Sequence, residues 1–188
     1  MQGHFLHHPD NLGRCDFLIR HDAAFFRSKA ESARRDVARL SPSSAPRLAA
    51  VVERYDRAIE LMASQPRSLV HGGYIPWHIL VDGDREPARV CAVDWELAAL
   101  GATLYDLAFF TDGVASPLRE RIWEAYRAAA SEHHVPVPDP PEMQQVIDCF
   151  RLHRVFDWLS RSVEKGFPEE KVAALVGQAQ ALGRLVPG

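Results

Sequence analysis

Leu48, Val51, Val52, Tyr55, Ile59 and Met62 recur at three- and four-residue spacing, the signature of one apolar face on a single helix spanning that stretch. Before it, residues 23–40 are mostly good helix formers, and the Ser/Pro cluster SPSSAP at 41–46 stops them. The period then changes. Ser68-Leu69-Val70, His78-Ile79-Leu80-Val81 and Arg89-Val90-Cys91-Ala92-Val93 are short runs rich in β-branched residues around the turn-like Asp82-Gly83-Asp84, and they read as a small hairpin. Helical patterning returns afterwards. Ser116-Pro117 has the look of an N-cap and first helical position, opening a helix to about Ser131. A further helix is expected from Glu142 to Val163, and a last one from Pro168, carrying Val172, Leu175, Ala179 and Leu182. The predicted fold is mainly α with one small β-hairpin, a single domain over residues 1–188.

Composition narrows what such a domain can do. A net charge of −3 leaves no basic excess for nucleic acid or an anionic membrane surface. Cys15, Cys91 and Cys149 are far apart and odd in number, which argues against a disulfide framework and for a reducing, cytoplasmic setting. The opening MQGHFLHHPDNLG is too polar for a signal peptide, and no stretch approaches the about 18 consecutive apolar residues of a membrane span. The His4, His7, His8 cluster reads as solvated, and His133-His134 as a helix end, where imidazolium suits the negative end of the dipole.

The chemistry is concentrated in HGGYIPWHILVD, residues 71–82. Leu69-Val70-His71-Gly72, Pro76, Ile79-Leu80-Val81, Val93-Asp94-Trp95-Glu96, Gly101 and Tyr105-Asp106-Leu107-Ala108 follow in an order and spacing that resembles the aminoglycoside phosphotransferase and choline kinase family, relatives of the protein kinases. The resemblance implies the C-terminal, α-rich lobe of a kinase-like fold, with no N-terminal nucleotide lobe in these residues. In that family the loop reads approximately H-G-D-x-x-x-x-N-I-L: its aspartate takes the proton of the substrate hydroxyl, its asparagine holds a metal ion, and the later D-W-E aspartate holds Mg²⁺ bridging the ATP phosphates. By position the base falls on Gly73, the amide on His78 and the metal carboxylate on Asp94.

Glycine has no group that accepts a proton, so the family's general base is missing. Imidazole is a poor ligand for Mg²⁺, which prefers hard oxygen donors, so His78 does not hold a second magnesium. Asp94 stands as a metal ligand or as a cap of the following turn. His71 and Asp106 take structural roles by resemblance, Asp106 bracing the loop through backbone contacts, although His71 is also a candidate catalytic residue beside Asp94. Tyr74, Trp77 and Glu96 are candidate substrate contacts, the two aromatics able to line a pocket or stack on a flat ligand. His71, His78 and Asp94 together have the side-chain types of a facial iron or hydrolytic zinc site.

Three functions follow. One is a degenerate, transfer-incompetent protein that binds a small molecule or a protein partner in the substrate-side cleft, with weak or no ATP binding. A second is a phosphotransferase acting on a small-molecule hydroxyl with the nucleotide lobe supplied elsewhere. A third is an enzyme of different chemistry using Asp94, His78 or Glu96, with Mg²⁺ or another divalent metal. Without an upper lobe, apolar surface around Tyr74, Ile75 and Trp77 is expected to be uncovered, favouring a homodimer through that face.

Overall fold

The computed structural model describes residues 1–186 except 9, 11 and 13. In chain order its described elements are α1 (Gln2–His7), β1 (Ile19–Arg20), α2 (Ala23–Leu40), α3 (Ala45–Val52), α4 (Asp56–Ala63), β2 (Arg67–Val70), β3 (Ile79–Asp82), β4 (Arg89–Ala92), β5 (Ala99–Ala102), α5 (Tyr105–Phe110), α6 (Ser116–Glu132), α7 (Pro140–Leu159) and α8 (Glu169–Gly183). Short 3-10 turns at Pro76–His78 and Trp95–Leu97 flank the hairpin. The chain is mainly helical with small sheets, as the patterning predicts. No helix among the described residues is long and apolar enough to cross a membrane.

Two compact units are formed, one from residues 1–20 and 65–138, the other from 21–64 and 139–188. The second unit is helical. α2 starts where Asp22 Oδ1 accepts the Phe25 N–H at 2.9 Å, a cap worth about 1 kcal/mol. It buries Phe26, Ala30, Ala33 and Val37, one residue every three or four, against α7. Asp139 caps α7 in the same way through Glu142 N–H at 3.0 Å, and Pro140 and Pro141 occupy the first turn, where their missing donors cost nothing.

Two helix boundaries depart from expectation. The stretch from Leu48 to Met62 is two helices, broken at residues 53–55, where Arg54 and Tyr55 donate to Val51 and Val52 in tight i to i+3 bonds. The turn keeps Tyr55 in the core, its ring 4.6 Å from Phe156, so the apolar spacing runs on through the break. α7 ends at Leu159, short of Val163. Ser160 and Ser162 turn their hydroxyls back onto the carbonyls of Asp157 and Leu159, and the Val163 N–H finds the Asp36 carboxylate at 3.2 Å.

The first unit carries the β-structure. β3 and β4 pair antiparallel, Ile79 opposite Ala92 and Asp82 opposite Arg89, forming the predicted hairpin. β2 does not join it. It pairs antiparallel with β5, Val70 opposite Ala99 and Arg67 opposite Ala102, and β1 lies parallel on the other side of β5. α1 is tied to this sheet by its first residue: Gln2 Nε2 donates to the Thr103 carbonyl at 3.0 Å, and Ser68 Oγ donates to the Gln2 carbonyl at 2.8 Å.

Candidate functional site

The loop after β2 begins with a backbone that only glycine can follow. Gly72 has φ of +81°, and a Cβ there would lie 2.0 Å from the Leu97 carbonyl oxygen. Gly73 is different: its φ is not positive, and a Cβ would meet nothing nearer than 3.6 Å, the Leu97 Cδ1. The fold therefore demands glycine at 72 and merely permits it at 73. The missing side chain at 73 is a matter of chemistry, not of space.

The loop's shape is held from behind. Asp106, at the start of α5 and buried, accepts the His71 N–H at 2.7 Å on one carboxylate oxygen and the Gly72 N–H at 3.0 Å on the other. Burial raises the Asp106 pKa above the usual carboxylate range, opposed by these two N–H bonds and by His71. His71 is itself buried: its Nδ1 accepts the Gly73 N–H at 3.3 Å, which leaves the hydrogen on Nε2 to donate to the Val93 carbonyl at 2.8 Å. Both ring nitrogens are thus committed to main chain, and Trp95 packs on the ring at 4.6 Å between centroids. His71 sits where it orders the loop and has no lone pair to offer a metal or a proton.

This corrects the three-ligand grouping of His71, His78 and Asp94. Among the described residues no group of three or more His, Cys, Asp or Glu side chains is placed to hold a metal ion. His78 and Asp94 do come together. A backbone bond from Val93 N–H to the His78 carbonyl, 2.9 Å, aligns the two segments, and His78 Nε2 lies 3.3 Å from Asp94 Oδ2. On its other side the His78 ring meets the Gly73 carbonyl through Nδ1 at 2.8 Å. A carbonyl only accepts, so Nδ1 carries the hydrogen and donates.

Asp94 itself holds φ 67°, ψ 61°, the left-handed region that few non-glycine residues enter, and its side chain makes no capping bond to the following turn. The capping role is therefore set aside. Residues kept in that region typically cost about 1–3 kcal/mol and gather at functional sites. Mg²⁺ as the family would hold it does not fit the pair, because the amide oxygen of the family's asparagine is replaced by an imidazole nitrogen.

Beside the loop lies a cavity of about 460 Å³ walled by Tyr74, Trp95, Leu107, Phe110, Tyr126 and Ala130, with His71 and Asp106 at its back. Tyr74 faces it with its ring 5.5 Å from Phe110 and 5.6 Å from His71. Burial and the negative charge of Asp106 raise the Tyr74 pKa. Burial pushes the Tyr126 phenol up to about 12, and its oxygen lies 3.1 Å from both Gln2 Oε1 and the Thr103 carbonyl. Trp77 and Glu96 do not line this cavity. Trp77 is 86% exposed and, with Leu80, Val81 and Val90, leaves the hairpin's apolar side chains in solvent, while Glu96 is exposed on the 3-10 turn. Phe110 and Tyr126 were not expected here, since one lies within a short apolar run and the other on a helix remote in sequence.

Neither the search of curated proteins nor that of solved structures found a match. The model of the phosphotransferase enzyme family matches residues 6–146, a span that takes in the loop, the brace at Asp106 and the Asp94 turn. That span exceeds half of the chain, and the chain belongs to the phosphotransferase enzyme family.

Proposed function

We propose that this phosphotransferase-like chain has given up phosphoryl transfer and binds a small molecule in the cavity beside its loop, on the scaffold of a kinase-like C-terminal lobe. The observation that carries the reading is Gly73. The loop keeps a His-Gly start braced by the Asp106 carboxylate, there is room for a side chain at 73, and none is present to accept a hydroxyl proton.

The cavity suits an apolar, partly aromatic ligand. Most of its wall is hydrocarbon and ring surface, and a few polar groups, the Tyr74 phenol among them, can orient what enters. N-phenyl-1-naphthylamine, a neutral apolar dye, tests this directly. Saturable one-to-one fluorescence enhancement is expected, and Ala129→Trp, which places a bulky ring at the exposed edge of the cavity, is expected to abolish it. Calorimetry with Mg·ATP is expected to show no micromolar binding. Dye binding that Ala129→Trp leaves unchanged would overturn the cavity assignment. Micromolar Mg·ATP binding with phosphate transfer to an alcohol would overturn the loss of transfer.

A further inference from the structure

We infer that the helical unit carries a second ligand site, a cavity between the end of α8 and the break that follows α3, which takes a small organic carboxylate with an apolar body. The cavity measures about 320 Å³ and is walled by residues of that unit alone. Its lining holds no carboxylate, and its two charged groups are both guanidiniums, those of Arg54 and Arg184.

The local fold explains why they stand there. After α3 the i to i+3 turn at 53–55 leaves Arg54 exposed and turns the next residue, Tyr55, into the core, and both border the cavity. The Tyr55 ring is held edge-on by Phe156 at 4.6 Å between centroids, so that part of the wall is fixed. α8 stops at Gly183, and the Arg184 and Leu185 N–H groups close back on the Ala181 and Leu182 carbonyls, which keeps Arg184 at the cavity. A Cβ at 183 would crowd Val51 Cγ1 at 3.0 Å, so glycine lets the end of α8 come down on α3. One turn earlier, Arg47 Nε donates to Gln180 Oε1 at 2.8 Å and ties the same two helices.

The ligand class follows from the charges and the bed. Arg27, Arg57, Arg151 and Arg161 of this unit each have a carboxylate partner. Among the described residues Arg54 and Arg184 have none, and Arg54 reaches only the Ala50 carbonyl, through Nε at 3.4 Å. A guanidinium presents its N–H donors as a planar fork that fits the two oxygens of a carboxylate. Two such forks at one cavity, with no acid in its wall to compete, select an anion. Val51, Leu152 and Val186 add hydrocarbon surface that a bare inorganic anion would leave unused. The volume is at the lower end of the about 300–1,000 Å³ of ligand pockets, so the ligand is small. The site makes no use of the loop at Gly73, and it stands or falls independently of the loss of phosphoryl transfer.

The probe is 4-phenylbutyrate, compared by calorimetry at low ionic strength with its neutral amide, 4-phenylbutyramide, and with acetate, which has the charge without the body. Saturable one-to-one binding of the acid is expected, with the amide and acetate each at least tenfold weaker. Arg54→Gln and Arg184→Gln are each expected to weaken binding of the acid at least tenfold, the loss that goes with one hydrogen bond to a charged group. Both side chains are exposed, and circular dichroism is expected to show the fold kept. No saturable binding of the acid at millimolar concentration, binding that either variant leaves unweakened, or an amide or acetate that binds as tightly as the acid would overturn the assignment.

Discussion

Lowering the pH should destabilise this protein through one side chain, His153 on α7. The imidazole is fully buried, with its ring 4.8 Å from Phe26 and 5.5 Å from Phe25, and burial drives its pKa from 6.5 to about 4. The neighbouring Asp157 pulls the pKa up and Lys29 pulls it down, the two being paired with each other at 2.8 Å. Above pH 6.5 the imidazole is neutral folded or unfolded, and it contributes nothing to the pH dependence. Below that value the unfolded chain binds a proton that the folded chain refuses until about pH 4, so stability falls as pH falls through this window. At 1.36 kcal/mol per unit the loss is about 2 kcal/mol by pH 5 and about 3 kcal/mol at the lower limit. Urea unfolding at about pH 7.5 and 5 measures it, compared with His153→Gln, which cannot titrate. Groups not coupled to His153 contribute equally to both proteins, and Asp157, whose pKa lies below its usual value, stays ionised across this interval. The wild type should therefore lose about 2 kcal/mol more than the variant over this interval. Equal losses, within about 0.5 kcal/mol, would refute the reasoning.

Gly72→Ala forces a Cβ to 2.0 Å from a backbone oxygen at a positive φ, and should cost more than about 4 kcal/mol or prevent folding, whereas Gly73→Ala should stay within about 1 kcal/mol; urea midpoints compare them, and equal costs would be wrong for this loop. Asp106→Asn keeps one acceptor for two buried N–H groups and turns an amide hydrogen toward the other, so a loss of about 2–3 kcal/mol is expected in the same assay.

Helices announced themselves where a stop signal followed an amphipathic run. α2 was legible to the residue because the Ser/Pro cluster closes a long stretch of helix formers. The break at 53–55 was not, since a three-residue turn of i to i+3 bonds preserves the apolar spacing on which the reading depends. β5 escaped for the opposite reason. Ala99, Leu100, Gly101 and Ala102 carry no β-branched side chain, and three of the four, Ala99, Gly101 and Ala102, fit the sheet by being small enough to be buried. With β5 unseen, the partner of β2 was unseen, and the run at 68–70 looked like part of the hairpin.

At the site, legibility followed which atoms do the work. Asp106 and His71 act on main-chain N–H and C=O groups, so their bonds hold whatever side chains residues 73 and 78 carry. The brace therefore does not depend on what side chain residue 73 carries, which is why the motif reads clearly in a loop with glycine at that position. His78 is the converse case. Its meaning is not in its place in the motif, where it is only a missing asparagine, but in a pair of contacts that the sequence does not print: the Gly73 carbonyl on one nitrogen and Asp94 facing the other. The main-chain carbonyl of Gly73, which any residue there would supply, is the anchor of that imidazole. A carboxylate at 73 would add a negative group near the His78 ring, since a Cβ there lies 3.8 Å from Nδ1. Positions 73 and 78, five residues apart in sequence, thus meet in space through a main-chain bond and that approach.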